Sequence, residues 1–151
     1  MYKGTESEKG QSLTEFALSL VFLFTLLAGV ADFGRAFFAY IIIRDAAQEG
    51  AVYGAIADKS DINVLKAGVE DRVKTAFSDP SDPTNIPIDT DSLQVTTTII
   101  GDPCAGPGNG VRVTVDYAIP ITTPFLGTIL GSQEIPMSTS IEDTILSPIC
   151  P

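Results

Sequence analysis

The side chain whose placement most constrains this sequence is Glu15, an acid at the threshold of a run, Phe16 to Ala31, that carries no charge. A carboxylate at mid-bilayer costs about 2.5–3.5 kcal/mol on insertion scales and less near the headgroups, so an acid in such a place is usually retained for a partner. Two partners are open to it. One is the positive end of its own helix dipole at headgroup level. The other is an ammonium group: if the chain were cut after Gly10, the new α-amine of Gln11 would lie one helical turn away, on the same chain or a neighbour. The other reactive side chains are two cysteines, Cys104 and Cys150, and there is no histidine. That removes the commonest general base and metal ligand, and with it Ser–His, Cys–His and His–zinc chemistry, leaving carboxylate- or lysine-based catalysis as the enzymatic options. Gly101 to Gly110 is rich in glycine but has neither the lysine nor the following helix of a phosphate loop. The expectation is a protein that is not an enzyme and takes no cofactor or metal. A formal net charge of -10 also argues against nucleic acid, whose phosphates require a basic footprint.

Glu15 has to be positioned by a helix. From Lys9 to Gly54 the chain contains no proline and stays helix-compatible. Phe16 to Ala31 supplies about 24 Å of apolar helix at 1.5 Å per residue, near the lower limit for a bilayer core of about 30 Å. Phe33, Phe37, Phe38 and Ile41 to Ile43 extend the greasy surface beyond Asp32 and Arg35. The pattern predicts one helix, half in the membrane and half outside it, spanning 11–57 with a transmembrane part at about 16–38. A cleaved secretory signal is the rival, with Leu26-Leu27-Ala28-Gly29-Val30-Ala31 as its possible cleavage site. Against it stand the acid directly before the apolar run and the unbroken helical pattern after it.

Further along this helix, Ala46, Gly50 and Gly54 form one row of small residues, and Ala47, Ala51 and Ala55 the next. Spacings of four place them on one face, where two backbones can approach closely. Glycine in an exposed helix costs about 0.5–1 kcal/mol relative to alanine, so the rows predict a close neighbour, either the protein's own sheet or a helix of another subunit. Asp45 and Glu49 form a like-charge pair that Arg44 could relieve.

Ile62, Leu65, Val69, Val73 and Phe77 recur at helical spacing behind a cap at Ser60 or Asp61, which predicts a second, amphipathic helix. Ser78 to Asp91, with three prolines among Asp and Ser, reads as an exposed linker. Alternation predicts strands over Leu93–Ile99, Val111–Ile119 and Ile135 to about Leu146, with a turn-rich hairpin loop at 101–110 and a loop or short helical turn at 122–130. The fold class is therefore α+β: a long N-terminal transmembrane helix, a second amphipathic helix and a small three-stranded antiparallel sheet. In an antiparallel meander the end of the third strand lies beside the first hairpin, bringing Cys150 near Cys104. In an exported domain this predicts one disulfide, worth about 3–4 kcal/mol in the loop-entropy account, with two free thiols as the alternative.

Gly10-Gln11-Ser12-Leu13-Thr14-Glu15-Phe16 resembles the processing site of Flp-type prepilins and TadE-like pseudopilins of tight-adherence pili. The likeness continues through Asp32-Phe33-Gly34-Arg35-Ala36 and Ala46-Ala47-Gln48-Glu49-Gly50-Ala51, where Gln48 replaces the family's usual arginine. The resemblance implies a pilin-like structural or assembly subunit with a leader over 1–10, removed by a prepilin peptidase between Gly10 and Gln11, and an extracytoplasmic domain over 58–151. Glu15 is then the fifth residue of the mature chain and pairs with an N-terminal amine during assembly. The implied partners are the prepilin peptidase, other pilin-like subunits, pilus assembly platform proteins and membrane lipid. The implied location is the cytoplasmic membrane, N-terminus inside, and the pilus itself. The alternative is a permanently membrane-anchored ectodomain, a binding or assembly module of a secretion system that never enters a filament.

Overall fold

The computed structural model describes residues 6–58, 60–77, 88–102, 108–123 and 126–146. Helix α1, Glu6–Ile56, is a single rod of 51 residues. It begins four residues before Gly10, so the end of the expected leader joins the helix. Helix α2 spans Ile62–Ala76. Its cap is Asp61, whose carboxylate accepts hydrogen bonds from the backbone N–H groups of Asn63 and Val64, two of the donors that a helix start leaves unpaired. Leu65, Val69 and Val73 are buried, as their spacing predicts, whereas Ile62 is 45% exposed because it lies in the first turn, before the packed rows begin.

Strands β1 (Gln94–Ile100), β2 (Gly110–Pro120) and β3 (Glu134–Thr144) form an antiparallel meander in the order β1-β2-β3. Between β2 and β3 lies the single turn α3, Leu126–Leu130. On β2, Val111, Val113, Val115, Tyr117 and Ile119 point into the core while the residues between them face outward, the period of two that the sequence displays. The outward face is polar: Thr96, Thr114 and Ser140 lie side by side across the three strands, and Arg112 pairs with Glu142 at 2.9 Å. Pro136 sits within β3, tolerated because β3 is an edge strand with one partner. β3 ends two residues before Leu146. Beyond it the Ile145 N–H donates to the Asn109 carbonyl and the Leu146 N–H to that of Ala55.

The two helices pack on the inner face of the sheet, and β2 runs antiparallel to α1. A Cβ built on Gly54 would lie 2.8 Å from Cγ1 of Val111, and one on Gly50 3.6 Å from Cγ1 of Val113. Four residues of helix rise about 6 Å and two residues of strand about 6.7 Å, so glycines spaced by four and valines spaced by two stay in step along the interface. The valines of β2 thus lie against the groove that the small residues leave. At the far end, Thr122 and Thr123, just past β2, meet Arg35 and Asp32. The core accordingly covers one face of α1 from Asp32 to Ala55 and none of it before Asp32.

Candidate functional site

The bare half of α1 contains the N-terminal motif. Gly10, Gln11 and Glu15 are all exposed, and a Cβ on Gly10 would meet nothing within 4 Å. Gln11 Nε2 donates to Glu15 Oε1 at 3.4 Å, so the helix places position 11 within reach of the acid. The hydroxyls of Ser19 and Thr25 donate to the carbonyls of Glu15 and Val21, both at 2.9 Å, which satisfies them within the helix and leaves its surface apolar. Around them Phe16, Leu18, Val21, Phe22, Phe24 and Val30 are all at least 60% exposed. So much bare apolar surface on one helix calls for lipid or other helices around it.

At the junction of the two halves, Asp32 is 6% exposed. Its Oδ2 accepts the Thr123 backbone N–H at 2.8 Å, and its Oδ1 lies 3.7 Å from Arg35. The Arg35 guanidinium in turn donates to the Thr122 hydroxyl. Asp32 and Arg35 therefore clasp the chain leaving β2. Sequence spacing shows them only as a helical pair three residues apart; the sign that they hold something is two charges standing directly after a long uncharged run. A transmembrane part drawn at 16–38 overlaps this clasp and the packed residue Ala36, whereas the stretch without any packing from the domain ends at Ala31.

The small-residue rows lie wholly against the protein's own domain. Ala46, Ala47, Gly50, Ala51, Gly54 and Ala55 are all buried. A Cβ on Gly50 would come within 2.6 Å of Val73 on α2 and 3.4 Å of Val69. Of the two neighbours open to these rows, the structure supplies α2 and the sheet. Beside them Arg72 of α2 pairs with Glu49 at 2.9 Å, which relieves the Asp45–Glu49 repulsion across the helix pair. The end of β3 does lie beside the first hairpin, with Thr144 opposite Gly110. Cys104 and Cys150, the expected disulfide, fall outside the described residues, as does the Ser78–Pro87 part of the expected linker.

Among the described residues no group of His, Cys, Asp or Glu is arranged to hold a metal ion. The open cleft between Arg35, Ile88, Asp89, Ser92, Tyr117 and Glu134 holds the hydroxyl of Ser92, which donates to the Asp89 backbone carbonyl at 2.8 Å. What the arrangement offers is a surface for association: a bare apolar rod ending in an acid, joined through a polar clasp to an acidic domain. Its length and composition suffice to cross a membrane and fit membrane anchoring. No curated protein and no solved structure matches this chain. Residues 10–52, from the motif glycine to the middle of the small-residue rows, match the model of the TadE-like protein family, the family that the N-terminal motif resembles.

Proposed function

We propose that this chain is a pilin-like subunit of a tight-adherence pilus, held in the cytoplasmic membrane by α1 with its domain outside and trimmed by a prepilin peptidase between Gly10 and Gln11. The role is structural, without catalysis or a cofactor. The observation that carries the proposal is the division of α1 within the matched segment: residues 10–31 are unpacked, with an uncharged apolar run over 16–31, and residues 32–52 are docked on the domain. A soluble domain has no use for the first half. A subunit that rests in lipid and then exchanges lipid for neighbouring helices uses it in both states. Other pilin-like subunits and the assembly platform are the corresponding partners.

Glu15 has a specific place in this reading. In the uncut chain its carboxylate is met by the Gln11 amide. Cleavage would add an α-amine at the same residue, and a charge-assisted contact in low dielectric would replace a long neutral one. Glu15→Ala should leave membrane insertion and leader removal intact, since it removes a costly polar group. Incorporation into sheared pili should fall, because the loss leaves an ammonium unpaired in a buried interface, a change of about 2–5 kcal/mol. The assay is fractionation of cells for membrane-bound and pilus-associated protein, and unchanged incorporation would overturn the pairing role.

One observation favours a second reading, a permanently anchored ectodomain that serves as a module of the secretion machinery. α1 runs without a break through Gly10, so a peptidase that reads an extended segment has to unwind its first turn. Glycine at that position lowers the cost of doing so. N-terminal sequencing of protein taken from its native membrane decides between them: a chain starting at Gln11 supports the subunit, and one retaining Gly10 supports the anchored ectodomain. Gly10→Val should accumulate precursor on a gel if the cut occurs there.

A further inference from the structure

We infer that the connection between β2 and β3, in its described parts Ile121–Thr123 and Leu126–Gln133, is a second membrane contact that lies in the interface of the outer leaflet beside α1. The inference rests on the reading that α1 crosses a bilayer, and it commits to lipid as the occupant.

The placement comes first. β2 descends along α1 from Gly54 toward the bare half, and the chain leaves it at Pro120 to set Thr122 and Thr123 against Arg35 and Asp32. The connection therefore emerges at the level of Asp32, one residue beyond the last residue of the uncharged run. The Ile121 N–H donates to the Gln133 carbonyl at 2.8 Å, so both ends of the connection are held at that end of the sheet.

The length of the apolar run sets how deep that level lies. Phe16 to Ala31 provides about 24 Å, and a hydrocarbon core of about 30 Å needs roughly four more residues. With Glu15 at the inner headgroups, the outer boundary falls at Asp32 to Arg35. The charges there are partnered: Asp32 is buried, Arg35 is half-exposed, and the two groups pair with each other and hydrogen-bond to the connection. Intramembrane charges persist where they pair in this way.

The chemistry of the connection agrees. Ile121 to Gln133 contains no charged residue, in a chain of net charge -10. The other loops all carry aspartate: Asp58 and Asp61 after α1, Asp89 and Asp91 before β1, Asp102 after it. Leu130 is 59% exposed at the end of α3, a large apolar side chain turned outward. Apart from Asp32, the acids Asp89 and Glu134 line the cleft beside Arg35 at the edge of the connection. The apolar surface of α1 thus continues sideways onto the domain, as in an interfacial element buried about 5–10 Å at the headgroup–acyl boundary.

The chain has no tryptophan, so a single introduced one reports its own surroundings. Leu130→Trp, Thr98→Trp and Val21→Trp are each prepared in the full chain, reconstituted in phosphatidylcholine–phosphatidylglycerol vesicles, and read with lipids brominated either high or low on the acyl chain. All three positions are exposed, so each variant should fold, and circular dichroism checks this. The expected result is that Leu130→Trp loses about half its emission to the high bromines, Thr98→Trp on the outward sheet face loses almost none, and Val21→Trp is quenched by the low bromines. Quenching at Val21→Trp without quenching at Leu130→Trp overturns the second contact and leaves the anchor standing. Absence of quenching at both overturns the anchor reading as well. A blue shift at Leu130→Trp that grows with protein density and ignores the bromines places another protein chain there and also overturns the inference.

Discussion

The two halves of α1 both use glycine, alanine and phenylalanine and do opposite things with the small ones. Glycine appears in both: Gly10 and Gly29 in the bare half, and Gly34, Gly50 and Gly54 in the docked half, where a Cβ on Gly34, at the outer edge of the docked stretch, would meet nothing within 4 Å. A Cβ on Gly29 would meet nothing within 4 Å, whereas one on Gly50 or Gly54 would run into Val73 or Val111. Alanine divides in the same way, with Ala31 exposed and Ala39, Ala47, Ala51 and Ala55 fully buried. Large residues divide likewise. Phe22, Phe24 and Val30 project freely, whereas Ile43 is completely enclosed. A small residue in a helix is thus ambiguous by itself: it marks a close neighbour only where large residues of another element fill the space it leaves. On α1 those residues are the valines of α2 and β2.

The most damaging test of this contrast is a large side chain at Gly50. Val69, Val73 and Val113 enclose the site and are completely buried, so they have little room to retreat. Gly50→Leu is expected to destabilise the domain by about 3 kcal/mol, the upper part of the usual overpacking range. In a small domain that lowers Tm by roughly 10–20 °C, measurable by circular dichroism of the detergent-solubilised chain. An unchanged Tm would mean that the small-residue rows face a partner subunit and not the protein's own sheet.

The next effect tests the junction. Asp32→Ala leaves the Thr123 N–H without its acceptor and Arg35 without its carboxylate, and loss of a hydrogen bond to a charged group costs about 1.5–3 kcal/mol. The loss should be local: hydrogen exchange at Thr123 should accelerate while amides of β2 near Val113 hold their rates. Uniform acceleration across the sheet would show that the clasp supports the whole domain. Smaller still is Arg72→Ala. Its ion pair with Glu49 is about half exposed on both sides, and such pairs contribute about 0.2–1 kcal/mol, so urea titration should register a shift no larger than this.

Most of the docked region is legible in the sequence, because amphipathic patterns report burial directly. The Leu65–Val69–Val73 stripe, the Asp61 cap and the alternation on β2 each name an element and its buried face. The meander followed from strands joined in sequence by turns. What was hidden is what depends on contacts far apart along the chain. Asp32 and Thr123 are separated by 91 positions, and no local period connects them. The start of docking was hidden for the same reason, since Phe33, Phe37 and Phe38 look like a continuation of the apolar run. They are in fact the exposed side of a helix whose other side is already buried at Ala36 and Ala39. At the N-terminus the sequence was informative through its motif, and the geometry adds the reach between position 11 and Glu15.

The smallest expected effect on folding is at Gly29, and it sharpens the comparison most. Because nothing of the domain approaches Gly29, Gly29→Ala should leave the unfolding of the domain within about 0.5 kcal/mol of the parent, like other substitutions away from packed features. Within the helix itself the change removes backbone freedom and favours the helical state by about 0.5–1 kcal/mol. A larger residue separates lipid from protein as the surroundings of this face. Gly29→Leu adds apolar area that lipid accommodates readily, but it holds apart two helices that meet at a small residue. Gly29→Leu should therefore insert normally and leave the domain's Tm unchanged. If incorporation into pili then falls while membrane levels hold, the bare half exchanges lipid for close helix neighbours at Gly29. If incorporation also holds, that face stays against lipid or loosely packed chains, and the two halves of α1 differ not only in which partner they meet but in whether close approach is used at all.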